Sequence, residues 1–64
     1  MREVKVYTFR ALIKGIEQQV SGKGTNQFEA DNDATIKVMR ETGAKFKEVE
    51  ILEALSIVPT DEWI

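Results

Sequence analysis

Carboxylates are the side chains best equipped for chemistry in this chain, and most of its eleven Asp and Glu residues fall into three groups. These are Glu29, Asp31 and Asp33; Glu48, Glu50 and Glu53; and Asp61 with Glu62. Paired carboxylates can divide the acid and base work of glycoside hydrolysis, or hold a divalent cation through oxygen. Their settings point elsewhere: the first group reads as a helix N-terminus, the second as a solvated strand face, the third as a polar tail. An acidic face made by Glu48 and Glu50, with Glu29 nearby, could imitate DNA phosphates, but a net charge of −2 is small for that role. Gly22-Lys23-Gly24-Thr25 holds a fragment of a phosphate loop, whose full pattern is G-x-x-x-x-G-K-[ST] between a strand and a helix. Glu17 stands where the first glycine belongs and Gly24 where the Ser or Thr belongs, so the segment reads as a turn.

The chain has no His and no Cys. Zinc, haem and iron–sulfur sites of the usual kinds need one or the other. Ser21 and Ser56 therefore have no histidine to activate them. No catalytic residue, cofactor or metal site is assigned, and the expectation is a protein that is not an enzyme. Lys5, Arg10, Lys14 and Lys23 lie near Tyr7 and Phe9, a mixture found on the sheet faces of single-strand nucleic-acid binders. The aromatic residues fall on the parity assigned to the core, so a nucleic-acid module using these four cations is the second reading. Nine basic against eleven acidic residues argue against sequence-independent DNA binding.

At 64 residues there is room for one domain, with a core that is marginal unless something else supports it. Hydrophobic residues make up 42% and charged residues 31%, ordinary for a folded domain. No apolar run approaches a membrane span, and the opening Met1-Arg2-Glu3-Val4-Lys5 does not resemble a secretory signal. Without cysteine, a cytoplasmic location is expected.

These residues need elements to position them. Residues 2–14 are rich in β-branched and aromatic types and read as a strand. Its phase changes midway: Val4 and Val6 share one parity, while Tyr7, Phe9, Ala11 and Ile13 share the other. Phe9, Leu12, Ile13, Ile16 and Val20 also fit a helical period, against which Gly15 stands in the interior. Residues 15–24, with Gly15, Gly22 and Gly24, read as a turn region, and residues 25–30 as a second strand with Phe28 and Ala30 facing inward. Asp31 or Asn32 should cap a helix over 33–42 that Gly43 ends. Its inner stripe is Ala34, Val38 and Met39, with Thr35 and Ile36 at the margins. A third strand follows over 47–56, its phase slipping at Leu52 and Ala54. Pro59 is expected to end regular structure and leave residues 57–64 as a tail that carries Trp63.

The expected fold class is α+β: a small three-stranded sheet with one helix packed on one face, in the order ββαβ, as a single domain over 1–64. The phrase Phe28-Glu29-Ala30-Asp31-Asn32-Asp33, leaving a strand and capping a helix, resembles the joint of small ββαβ proteins of phages and mobile elements. That resemblance implies a small viral-type protein that inhibits or regulates by covering a host protein's surface. One helix covers one sheet face, so Val4, Val6, Leu12 and Leu52 should leave an apolar second face. With Trp63 they form the expected interface of a homodimer or of a protein target.

Overall fold

The computed structural model describes residues 1–64 as an α+β fold in the order ββαβ. Strand β1 (Glu3–Ile13) lies between β2 (Ile16–Gly24) and β3 (Val49–Trp63), and it runs antiparallel to both. Helix α1 (Gln27–Thr42) carries the chain from one sheet edge to the other, and a 3-10 turn at Phe46–Glu48 leads into β3. No helix is long and apolar enough to cross a membrane.

Residues 9–21 form strand, turn and strand; the competing helical period has no counterpart. The hairpin turn is the pair Lys14-Gly15, with φ of 52° and 81°. Two consecutive positive φ values match the twist of the flanking strands. The rest of the stretch expected to be a turn is β2. Gly22 and Gly24 sit in that strand for packing, not turning. A Cβ on Gly22 would collide with the Ala30 carbonyl and lie 2.7 Å from the Ala34 amide nitrogen. A Cβ on Gly24 would lie 2.6 Å from the Ala30 nitrogen. The helix backbone therefore rests on a glycine seam, with Ala30 and Ala34 as its own small side chains.

That seam explains why the helix begins at Gln27, where a second strand was expected. Ala30, Ala34 and Val38 recur every four residues and are buried, so packing recruits residues 27–32 into the helix. Asn26 is the cap, not Asp31 or Asn32: its side chain accepts from the Glu29 amide at 2.9 Å. The Glu29 carboxylate accepts in return from the Thr25 amide at 2.7 Å. Phe28, expected inside, is 74% exposed. At the other end Gly43 takes the left-handed conformation, with φ of 74°, and donates to the Met39 carbonyl, as expected.

β3 continues through Pro59 to Trp63, so residues 57–63 are strand and not tail. Pro59 is tolerated because β3 is an edge strand with an irregularity beside it. The register against β1 shifts three times, leaving Leu52, Leu55 and the pair Thr60-Asp61 without a direct partner. The phase slip of β3 is thus a set of bulges that keep Ile51 and Ala54 packed on the core. In β1, Tyr7, Phe9, Ala11 and Ile13 are all buried, and Val4 is buried beyond the last shift. Arg2 and Ile64 close the sheet with reciprocal backbone hydrogen bonds, each 2.9 Å.

Candidate interaction surface

The glycine seam sets α1 over β2, and the helix reaches β3 only marginally. The consequence appears in one cross-strand row. Gly22, Tyr7 and Ile57 are partners across β2, β1 and β3. Tyr7 is 5% exposed, whereas Ile57, on the same face one strand further out, is 52% exposed. Its neighbours Leu55 and Val58 are also open to solvent. β3 is therefore an edge strand whose Ile57 its own helix leaves bare, with Leu55 at a bulge and Val58 on the opposite face also exposed.

The opposite face of the sheet differs from the apolar surface expected of it. Its rows, read across β2, β1 and β3, are Lys23, Val6 and Val58; Ser21, Thr8 and Ser56; Gln19, Arg10 and Glu53; Glu17, Leu12 and Glu50. Val6 and Leu12 are half-buried there, but among hydroxyls and charges. Arg10 is held between Glu17 at 3.0 Å and Glu53 at 3.2 Å. The hydrogen bonds it donates to those two carboxylates raise its pKa above the ordinary arginine value, Glu17 contributing most. Of the other expected interface residues, Val4 is buried inside the chain's own fold and Leu52 is a half-buried bulge residue. Trp63 lies opposite Glu3 in the sheet and is largely exposed. The structure does not gather these five residues into one patch.

The four cations are likewise dispersed. Lys5 lies near the start of β1 and Lys14 in the turn just past its other end, about 30 Å apart at roughly 3.3 Å per residue. Arg10 is neutralised by its two carboxylates, and Lys23 reaches Glu62 at 3.1 Å. The carboxylates are similarly absorbed. Glu29 accepts from Thr25, whose side-chain and backbone hydrogen bonds hold its pKa below the ordinary carboxylate range. Asp33 accepts from the Lys23 amide at 2.8 Å, and Glu48 from the Lys45 amide at 2.9 Å. No group of three or more acid side chains is placed to hold a metal ion.

One open depression, about 590 Å³, lies where the helix overhangs the far end of the sheet. Asn32 and Ile36 form its helical wall, with Val4, Glu62 and Ile64 opposite. Helical spacing puts Phe28, Asn32 and Ile36 along one stripe, and its apolar members are open to solvent, Ile36 at 54%. Sequence reasoning missed this stripe because it placed Phe28 in a strand. The signal was present in the four-residue spacing. Comparison with protein families, curated proteins and solved structures finds no match for the chain.

Proposed function

We propose that this protein is a non-catalytic interaction module that acts by covering the surface of another protein, as a small inhibitor or regulator would. The observation that carries this reading is the bare edge of β3: Leu55, Ile57 and Val58 are exposed within four residues, Ile57 on the face from which the helix has been drawn away, Val58 on the other face and Leu55 at a bulge between them. Exposed apolar residues scattered singly need no explanation, but three within four residues of an unpaired edge strand are what a partner surface uses. Ser56, exposed between Leu55 and Ile57, supplies a hydroxyl for hydrogen bonding.

The test is affinity capture from a bacterial lysate, read by mass spectrometry, with the wild type and Ile57→Asp in parallel. A protein retained by the wild type and lost with the variant, while far-ultraviolet circular dichroism stays unchanged, supports the reading. Capture that Ile57→Asp leaves intact, or no capture at all, counts against it. Retention that falls steeply as salt rises, and disappears after nuclease treatment, would favour nucleic acid instead.

A further inference from the structure

Strand β2 forms the other edge of the sheet, and its outer side is left open in a regular way. The Lys14-Gly15 turn makes Ile13 and Ile16 a hydrogen-bonded pair, and pairs alternate from there along an unbroken register. Gln18, Val20 and Gly22 therefore bond to β1, while Glu17, Gln19, Ser21 and Lys23 turn their backbone N–H and C=O groups outward. The Lys23 amide fits that phase, because it donates to the Asp33 carboxylate at 2.8 Å instead of to β1. The outward backbone groups of Glu17, Gln19 and Ser21 have no partner in the chain. We propose that residues 17–21 of β2 take an extended segment of another protein as a fourth strand, seated in the groove between this edge and α1. The site is separate from the β3 edge and stands or falls apart from it.

The groove, about 330 Å³, runs between Gln18, Gln19 and Ser21 on β2 and Lys37, Val38 and Glu41 on α1. Asp33, Lys37 and Glu41 recur every four residues, so they overhang the edge together. Asp33 already does for the Lys23 amide what a partner's carbonyl would do for the three free amides beyond it. Three arguments select an extended segment. Donors and acceptors that repeat at every second residue of an edge are matched by an extended backbone. β2 has neither a register shift nor a proline, whereas β3 carries both, and these are devices that blunt an edge. The helix excludes a second copy of the chain. Antiparallel pairing of two β2 strands about a two-fold axis would put both α1 helices on one sheet face, above strands about 4.8 Å apart, where packed helices need about 8–10 Å.

The groove also sets the side chains of the segment. In an antiparallel fourth strand, the residues opposite Gln18 and Val20 point toward α1, as Gln18 and Val20 do themselves. The residue opposite Val20 meets Val20 and the buried Val38, so it should be apolar. α1 runs antiparallel to β2, with Glu29 at Gly24 and Val38 at Val20, so Glu41 falls near Gln18. Glu41 has no ion-pair partner, whereas Lys37, the other charge of the groove, is paired with Asp33 at 3.6 Å. The residue opposite Gln18 should therefore be Lys or Arg. The ligand class is an extended segment in which a basic residue follows an apolar one two positions later. A contact this short should be weak, with Kd on the order of a few hundred micromolar.

Nuclear magnetic resonance of the nitrogen-15-labelled chain tests it, with the capped peptide Ser-Thr-Val-Thr-Arg-Thr-Ser as probe. In the free protein the Glu17, Gln19 and Ser21 amides should exchange with solvent faster than those of Gln18, Val20 and Gly22. Peptide added to about 2 mM should shift the first three amides most and slow their exchange. Placing Glu where the peptide has Arg should weaken binding about threefold, and Glu41→Lys in the protein should reverse that preference. Peptide that moves none of the three amides overturns the proposal, as does a preference that Glu41→Lys leaves unchanged. Shifts confined to Leu55–Val58 overturn it in favour of the β3 edge. Shifts of the three amides that follow protein concentration alone overturn it in favour of a second copy.

Discussion

Gly22 shows how a single side chain can decide the layout of a fold. It is a strand residue with ordinary backbone geometry, and what it supplies is an absent Cβ, which lets the helix backbone approach β2. Gly22→Ala puts a methyl group into the Ala30 carbonyl and should destabilise by about 1–3 kcal/mol, measured by urea denaturation. A change below about 0.5 kcal/mol would mean that the helix does not rest on this seam. Glu29 decides the start of the same helix. Its pKa is held low in the folded state, chiefly by the Thr25 hydroxyl and then by the Thr25 amide. The unfolded value is the higher one, so this contribution is fully present above the ordinary carboxylate range. It fades as pH falls through that range and is gone below the folded value. Melting temperatures taken from pH 6 downward should therefore fall more for the wild type than for Glu29→Gln. Parallel curves would remove Glu29 from the capping arrangement.

At the scale of elements, the sequence was most legible where one local signal suffices. Gly43 after a helical stripe was enough to place the end of α1, because a left-handed stop is local chemistry. β1 was legible for the same reason, its alternation from Tyr7 to Ile13 matching the buried parity. The errors arose where a long-range partner outweighs local preference. Asp31-Asn32-Asp33 has the composition of a helix cap, yet packing of Ala30 on the glycine seam extends the helix past it, and Asp33 is satisfied by Lys23 and Lys37. Gly22 and Gly24 resemble turn residues until the helix above them is known. Pro59 resembles a stop until β3 is known to be an edge. The expected interface residues failed to converge because bulges, invisible in a one-dimensional parity count, returned Ala54 to the core. A chain ending at Val58 checks the extent of β3. It would lose the Thr60 hydroxyl bond to the Val4 carbonyl at 2.6 Å and both Arg2–Ile64 backbone bonds. At about 1 kcal/mol each, the loss should be on the order of 3 kcal/mol, read by thermal denaturation. A melting temperature equal to that of the full chain would restore the view of residues 59–64 as a tail.

The whole molecule is drawn out along its strands, with extents of 36, 20 and 15 Å. Its radius of gyration, 11.7 Å, exceeds the roughly 10.7 Å expected of a compact chain of this length. Only 11 of its 64 residues are buried, and Phe9 is the one large side chain with no exposure at all. Around it lie Tyr7, whose ring stacks at 6.0 Å between centroids, and the two alanines of the helix seam. Alanines and glycines bring the layers close but contribute little apolar area, so the core's share of the folding free energy is concentrated in very few side chains. Marginal domains have about 5 kcal/mol of stability to lose, and emptying a fully buried Phe site costs about 3–5 kcal/mol. Phe9→Ala should therefore unfold most of the isolated chain at room temperature. Conservative Phe9→Leu, which keeps most of the volume, should leave a cooperative but lower melt. The comparison with Val58→Ala completes the test, because that side chain faces solvent and its removal should shift the melt by no more than a degree or two. If Phe9→Ala instead keeps a cooperative transition close to that of the wild type, stability resides elsewhere in the molecule, and the small core is not what holds the sheet and helix together.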